Sequence, residues 1–146
     1  LNHEICESTS SGMFITMVVG CFDPQKKQVR LINAGHEPVV FIDSNKQLHS
    51  YPANFRPVGI MPIDSEESIE STTIDAEEGK IFIYTDGVTE GYINANKEEL
   101  GTEGVEKIIK ENYQSSLRDI IDIIVQALKQ SDQDRRDDIT CLGIKL

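Results

Sequence analysis

The sequence predicts an α+β fold in which antiparallel strands come first, two helices follow and a final strand closes the chain. Three observations support this prediction: β-prone runs recur along the chain up to Thr85, apolar residues recur at helical spacing after Gly101, and residues 139–146 return to strand-like sequence. Strands followed by helices, without regular alternation, are typical of layered α+β domains rather than of βαβ units.

The first third of the chain is predicted to contain two hairpins. Residues 13–22 (MFITMVVGCF) are almost continuously apolar, which predicts a strand buried on both faces, and residues 29–33 alternate like a half-buried strand. Residues 39–43 and 47–51 repeat the arrangement around Ser44-Asn45. We therefore expect an antiparallel meander.

An acidic stretch and a strongly apolar strand follow. Residues 64–78 hold seven acidic residues and no basic one, which favours a solvated edge strand with acidic loops over a partner surface. Residues 80–85 (KIFIYT) lie between Gly79 and Gly87 and predict a central strand.

Two amphipathic helices are predicted next, and both need a sheet to cover. Ser116 opens the second helix with Asp119 three residues later, which is the spacing of a capping box. The apolar positions are Val105, Ile108, Ile109 and Tyr113 in the first helix and Leu117, Ile120, Ile121, Ile124 and Leu128 in the second.

The composition excludes several functions. With 14 Lys+Arg against 25 Asp+Glu, the net charge of −11 opposes binding to a nucleic-acid backbone. No apolar run approaches the ~18 residues of a membrane span, and no signal peptide is evident, so we expect a cytoplasmic protein. Cys6, Cys21 and Cys141 are odd in number and widely spaced, and are interpreted as small buried apolar residues.

Nucleotide-loop and serine-hydrolase motifs are absent from the sequence. The strongest candidate for chemistry is Asp86, which directly follows the 80–85 strand and precedes Gly87. A carboxylate held at the end of a buried strand suits a hard divalent cation. An ordinary Asp-Gly turn is the alternative.

Two further segments are candidates. Asp137 and Asp138 stand before the last strand, where adjacent carboxylates favour either a solvated loop or a cation that neutralises them. The segment Asn33-Ala34-Gly35-His36-Glu37-Pro38 predicts a tight structured connection, in which His36 could act as acid, base or ligand.

Taken in order, the motifs resemble the bacterial metal-dependent serine/threonine phosphatases of the PPM/PP2C-like class. The resemblance covers about residues 12–145 and is closest to the sporulation stage-II and stress-response branch, whose substrates are anti-sigma factor antagonists. The matching motifs are Met13-Phe14-x-Thr16, Asn33-Ala34-Gly35-His36-x-Pro38, Pro57-Val58-Gly59-Ile60, Tyr84-Thr85-Asp86-Gly87-Val88-Thr89-Glu90 and Arg136-Asp137-Asp138-Ile139-Thr140.

The resemblance implies an αββα sandwich of two antiparallel sheets flanked by helices, with a site for two Mn²⁺ or Mg²⁺ ions. Asp86 and Asp137 match family metal ligands, while Gly87, which would shape the turn, and Asp138, which falls where many relatives carry Asn, are secondary candidates. His36 is not a ligand in the pattern. A metal-activated water would hydrolyse the phosphomonoester without a protein nucleophile, and the substrate would be a phosphoserine or phosphothreonine protein, an anti-sigma factor antagonist in this branch.

The sequence departs from the family at its start. Residues 1–12 lack the family's first metal-ligand strand and its Asp-x-Ser-Gly motif, so residues 1–146 are expected to be one phosphatase domain that is incomplete at its N-terminus, with a sensory or receiver domain upstream in the parent. We therefore expect weak or no activity from these residues alone. A catalytically inactive phosphatase-like module that binds a regulatory protein is the alternative, and an acidic scaffold domain is a third hypothesis.

Overall fold

The computed structural model describes residues 1–8, 12–64, 68–75, 77–128 and 138–146. They form an α+β fold with two antiparallel sheets and accompanying helices, which confirms the predicted fold class. The elements are α1 (Asn2–Ser8), β1 (Met17–Asp23), β2 (Gln28–Ala34), β3 (Val39–Asp43), β4 (Leu48–Tyr51), β5 (Thr72–Asp75), β6 (Gly79–Tyr84), α2 (Asp86–Thr89), α3 (Gly101–Glu111), α4 (Leu117–Leu128) and β7 (Cys141–Lys145).

The chain divides into two compact units. The first unit comprises residues 1–36 and 52–77 and contains α1 and a sheet with the strand order β1-β2-β5. β5 lies at an edge of this sheet, as the acidic segment predicts. A small core of Ile5, Ala34 and Val58 packs between α1, β2 and the irregular segment after residue 52.

The prediction of a strand buried on both faces was wrong. β1 begins at Met17 rather than at residue 13, and its residues from Val19 to Phe22 are exposed, including Cys21. Among the described strands β1 pairs only with β2 and is an edge strand. An unbroken apolar run shows that a strand is hydrophobic, but it does not show whether another layer covers each face. The prediction of burial on both faces failed for this reason.

The second unit comprises residues 37–51 and 78–146 and contains a sheet with the order β4-β3-β6-β7. β6 is central, as predicted, and α2, α3 and α4 contribute to the core on this sheet. The fully or nearly buried core residues are Val40, Ile42, Phe82, Tyr84, Val88, Val105, Ile109, Ile120, Ile124 and Leu128.

The predicted capping box is present at the start of α4, and each of its two residues accepts a hydrogen bond from the backbone N–H of the other. The Asp119 backbone N–H donates to Ser116 Oγ at 3.1 Å, and the Ser116 backbone N–H donates to Asp119 Oδ2 at 3.3 Å. The Ser116 hydroxyl also donates to Asp119 Oδ2 at 2.7 Å. These bonds satisfy backbone donors that would otherwise be unpaired at the helix start.

The meander prediction also fails, because the two hairpins belong to different sheets. β1 pairs with β2 and β3 pairs with β4, both as expected, but β2 pairs on its other side with β5, and β3 with β6. At the end of β2 the carbonyl of Asn33 accepts hydrogen bonds from the backbone N–H groups of Asn54 and Phe55, both at 3.0 Å. Because β1 and β5 occupy the two sides of β2, β3 does not pair with it and belongs to the second sheet.

Candidate functional site

Asp86 stands at the carboxyl end of the central strand β6 and is the first residue of the short helix α2. The preceding Thr85 is extended, with φ −86° and ψ 163°, so the chain turns sharply between strand and helix. The Val88 N–H donates to the Thr85 carbonyl at 2.9 Å and the Glu90 N–H donates to the Asp86 carbonyl at 2.8 Å. The backbone of Asp86 is thus held on both sides by regular structure.

The Asp86 side chain is exposed, although the residues that follow it are buried. Its Oδ1 accepts a hydrogen bond from the Gly87 N–H at 2.9 Å, and the Thr89 hydroxyl donates to the Asp86 carbonyl at 3.1 Å. No hydrogen bond from a described residue reaches Oδ2. The carboxylate is therefore positioned by the backbone while one of its oxygens stays available to a ligand.

Thr85 joins this turn to the segment that precedes β7. Its backbone N–H donates to the Thr140 carbonyl at 3.1 Å, its hydroxyl donates to the Asp138 carbonyl at 3.0 Å, and the Thr140 N–H donates back to the hydroxyl oxygen at 3.1 Å. The structure thereby brings together two motifs that are more than 50 residues apart in the sequence. The Asp138 side chain is exposed beside them.

The structure gives less support to two other predicted metal ligands, Asp137 and Gly87. Asp137 lies outside the described residues. Gly87 is buried, and its carbonyl oxygen lies 3.0 Å from where a β-carbon on Gly91 would be, so it faces the next turn of the chain. The assignments of Asp86, Asp137, Gly87 and Asp138 as metal ligands stay predictions.

The carboxylate groups at this site are chemically suited to bind a hard cation, because carboxylate oxygens are the ligands that Mn²⁺ and Mg²⁺ prefer. Asp86 and Asp138 carry such oxygens on two segments that the hydroxyl of Thr85 bonds together. Within the described part of the chain, however, no group of three or more His, Cys, Asp or Glu residues is arranged to hold a metal ion. The described residues thus fit part of a metal site and do not complete one.

Two polar side chains, those of the paired residues Tyr84 and Cys141, belong to the strand ends next to the site. Tyr84 is 1% exposed, and its burial, with the carboxylates of Glu37 and Glu106, raises the pKa of the phenol well above its usual value. Burial raises the pKa of the Cys141 thiol from its ordinary value of 9.0 to about 11. A partly buried thiol that keeps its proton at neutral pH is a poor nucleophile.

The Asn33–Pro38 connection begins in the first unit, and its structure there is a tightly bonded loop. Asn33 is fully buried, its Oδ1 accepts the His36 N–H at 2.8 Å, and its own N–H donates to Asn54 Oδ1 at 2.8 Å. Gly35 has a φ of +70°, and a β-carbon there would lie 2.3 Å from a ring carbon of Pro57. His36 Nδ1 lies 3.0 Å from the Thr16 hydroxyl oxygen.

Thr85 is the residue whose role the sequence reasoning missed. A threonine directly before a helix is a preferred N-cap, and that signal was available in the sequence. In the structure its hydroxyl makes no capping bond and instead holds the Asp138 segment. Sequence alone could have marked Thr85 as a hydrogen-bonding residue but could not have named its partner.

Comparison with known proteins agrees with this geometry. The model of the family described as Stage II sporulation protein E (SpoIIE) matches residues 1–146, the whole chain. The chain belongs to the SpoIIE family. This family membership confirms the resemblance to the PP2C-like phosphatases of the sporulation and stress-response branch.

Two curated relatives match this SpoIIE-family chain over most of its length. Protein IcfG of Synechocystis is 36% identical over 123 residues, covering 84% of this chain and 19% of that protein. Phosphoserine phosphatase RsbU of Bacillus subtilis is 27% identical over 147 residues, covering 99% of this chain and 43% of that protein. The chain therefore spans less than half the length of either relative.

Solved structures show the same fold. The SiaA-PP2C domain of Pseudomonas aeruginosa matches with a TM-score of 0.83 at 13% identity, covering 99% of this chain and 57% of that one. The phosphatase domain of the cell fate determinant SpoIIE from Bacillus subtilis, presoaked with Mn, matches with a TM-score of 0.66 at 16% identity, covering 90% and 56%. None of the helices formed by the described residues has the length and apolar character needed to cross a bilayer.

Proposed function

We propose that this SpoIIE-family chain is the part of a cytoplasmic metal-dependent protein serine/threonine phosphatase that supplies Asp86 and Asp137 to a site for two divalent cations. The observation that carries the proposal is the exposed carboxylate of Asp86, fixed at the end of a buried central strand. Thr85 bonds this strand end to the segment in which Asp137 precedes Asp138.

Family membership supports the reaction class. The relative RsbU is named a phosphoserine phosphatase, and one of the matching SpoIIE phosphatase domains was presoaked with Mn. Bound divalent cations supply Lewis-acid activation of water and neutralise charge on phosphoryl oxygens. The chain's own carboxylates would anchor the ions, and no buried cysteine or tyrosine of the described site is required as a nucleophile.

The substrate in this proposal is a phosphoserine or phosphothreonine on an anti-sigma factor antagonist. Support comes from the phosphoserine phosphatase RsbU and from the structural match to the RsbU and RsbW domains of Rv1364c, which covers 88% of this chain. We further propose that the parent protein supplies further metal ligands, since the chain covers 57% of the SiaA-PP2C domain, and an upstream regulatory domain, since the chain covers 43% of RsbU.

Residues 1–146 alone are accordingly expected to show weak or no turnover. Mg²⁺ gives up its water ligands reluctantly and is held poorly by few protein oxygens. Robust metal-dependent hydrolysis by this piece would contradict that expectation.

The direct test uses the natural protein that contains this chain. Phosphate release from a phosphoserine protein is measured with Mn²⁺, with Mg²⁺ and with a chelator, and a phosphotyrosine peptide serves as the control substrate. The proposal expects turnover of phosphoserine that needs the metal. A folded protein that is inactive with every metal and several phosphoproteins would favour the alternative of a phosphatase-like module that binds a regulatory partner.

A further inference from the structure

Four lysines gather at the end of the second unit's sheet that is opposite to Asp86. Lys80 is the second residue of β6, whereas Asp86 follows the other end of the same strand, and Lys80 pairs in register with Lys145 on β7. At about 3.3 Å per residue, the length of β6 separates the two ends by roughly 20 Å. Lys46 and Lys110 line the same region.

Two adjoining concavities lie among these lysines, with volumes of about 260 and 350 Å³. They share Tyr113 and Gln114, which belong to the turn between α3 and α4. The first is lined by Lys46, Lys110, Glu111, Asn112, Tyr113, Gln114 and Ser115, and the second by Glu78, Gly79, Lys80, Tyr113, Gln114, Lys145 and Leu146. We call the two together the basic concavity.

Lys80 gives the basic concavity a fixed centre. Its ammonium donates hydrogen bonds to the backbone carbonyls of Tyr113 and of Ser115, the latter at 2.7 Å, and lies 5.0 Å from the centroid of the Tyr113 ring. The other three lysines are exposed. One charge is therefore held in place by hydrogen bonds to the fold, and three exposed charges line the same concavity.

The positive charge here is not balanced by neighbouring carboxylates. In the described part of the chain, none of the four lysines has a carboxylate oxygen within 4.0 Å. The two acidic residues in the lining are Glu78 and Glu111, and Glu111 lies 4.0 Å from a lysine outside the lining, Lys107. Counted over side chains, four lysines against two glutamates leave an excess of two positive charges in the lining, whereas the side chains of the whole chain sum to −11.

The direction of the pKa shift of Lys80 agrees with an excess of positive charge in the basic concavity. Burial lowers the pKa of its ammonium, and the charge of Lys145 lowers it further. A cation whose charged form is disfavoured by a second cation lies in a region of positive potential.

We propose that the basic concavity binds an acidic segment of a partner protein. Carboxylate side chains match its positive charge, and cavities of this size accept side chains of a short peptide. Nucleic acids and membranes present extended negative surfaces, which the strongly acidic remainder of the chain would repel. The position at the far end of β6 makes this surface distinct from the carboxylates around Asp86.

The test measures binding of a fluorescein-labelled peptide of alternating Glu and Ser to the natural protein by fluorescence anisotropy, at about 50 mM salt, where surface charges are weakly screened. The test variant combines Lys46→Gln, Lys110→Gln and Lys145→Gln. Lys80 is left intact because it holds the turn after α3. The matched control combines Lys26→Gln, Arg30→Gln and Lys97→Gln, three exposed residues outside the lining that carry the same total charge.

Three charge contacts of this kind should weaken binding by about tenfold in the test variant. The control should change affinity by less than about twofold, a margin small against that tenfold loss. Equal weakening in both variants would show a general charge effect and overturn the proposal. The proposal would also be overturned if the unmodified protein did not bind the peptide. It would equally be overturned if a single-stranded DNA of the same charge bound as tightly as the peptide and lost affinity in the same lysine variant.

Discussion

The hydroxyl group of Thr85 donates a hydrogen bond to the backbone carbonyl of Asp138 across 3.0 Å. The same hydroxyl oxygen accepts a hydrogen bond from the Thr140 N–H at 3.1 Å. One side chain therefore both donates to and accepts from the segment that leads into β7. This pair of bonds fixes the segment that contains Asp138 beside the helix start that presents Asp86.

Replacing Thr85 by Val should loosen that junction. Val keeps the β-branched shape but can neither donate to the Asp138 carbonyl nor accept from Thr140, and each lost bond is worth about 0.5–1.5 kcal/mol. We expect Thr85→Val to lower the free energy of unfolding by about 1–3 kcal/mol in urea titrations. Hydrogen exchange at the Thr140 amide should also accelerate.

Thr85→Ser is the control, because it keeps the hydroxyl and loses only a methyl group. Its Thr140 amide should exchange at nearly the rate of the unmodified protein. If the Val and Ser variants exchange alike, the hydroxyl does not hold the two segments together.

Cys141 should make the stability depend on pH in the alkaline range. Its thiol pKa is raised by burial from 9.0 to about 11, so the unfolded chain releases this proton first as pH rises. The unfolded state then binds fewer protons than the folded state, and stability falls between pH 9 and 11. Well below pH 9 the thiol is protonated in both states and the effect is absent.

The check is the pH dependence of urea unfolding for Cys141→Ala. Its free energy of unfolding should decline less steeply over this window, by up to about 2 kcal/mol in total. Cys21→Ala, at an exposed cysteine, should keep the full slope. Parallel curves for Cys141→Ala and the unmodified protein would contradict the assignment.

Gly35 should tolerate a side chain far less well than Gly101. Both have positive φ, +70° and +66°, so an alanine at either position suffers a similar backbone penalty of about 1 kcal/mol. Only at Gly35 does the new β-carbon also meet a neighbour, a ring carbon of Pro57 at 2.3 Å.

We expect Gly35→Ala to cost about 2 kcal/mol or more beyond Gly101→Ala, as overpacking typically does. Thermal unfolding of the two variants side by side measures the difference. Equal losses would mean that the loop after β2 is not packed against Pro57 as the structure has it.

Elements with a strong local pattern were predictable from the sequence. The bounds of β3 follow from its apolar run, β6 differs by one residue at each end from the predicted strand of residues 80–85, and α4 follows from the Ser116–Asp119 capping box and its apolar period. In each case the residues that determine the element lie within it or next to it. The end of β6 also marked Asp86 as a candidate site residue.

Long-range relationships were not predictable in the same way. The exposure of β1 depends on its place at a sheet edge, and the separation of the two hairpins depends on β2 pairing with β5, some 40 residues later. The contact between Thr85 and Asp138 likewise arises from the pairing of β6 with β7. Local periodicity carries no information about which strand becomes a neighbour.

The most direct test of the central claim compares two Asp→Asn variants of the natural protein in Mn²⁺-dependent hydrolysis of a phosphoserine protein. Asp86→Asn keeps an oxygen to accept the Gly87 N–H but loses the charge proposed to bind the metal. Asp122→Asn makes the same chemical change at an exposed carboxylate on α4.

We expect Asp86→Asn to lower kcat/KM by at least about a hundredfold, the scale expected for loss of a group that stabilises the transition state through a metal. Asp122→Asn should stay within about twofold, as for a surface ion pair of little energetic weight. Full activity of a folded Asp86→Asn protein would contradict the claim that Asp86 is part of the phosphatase site.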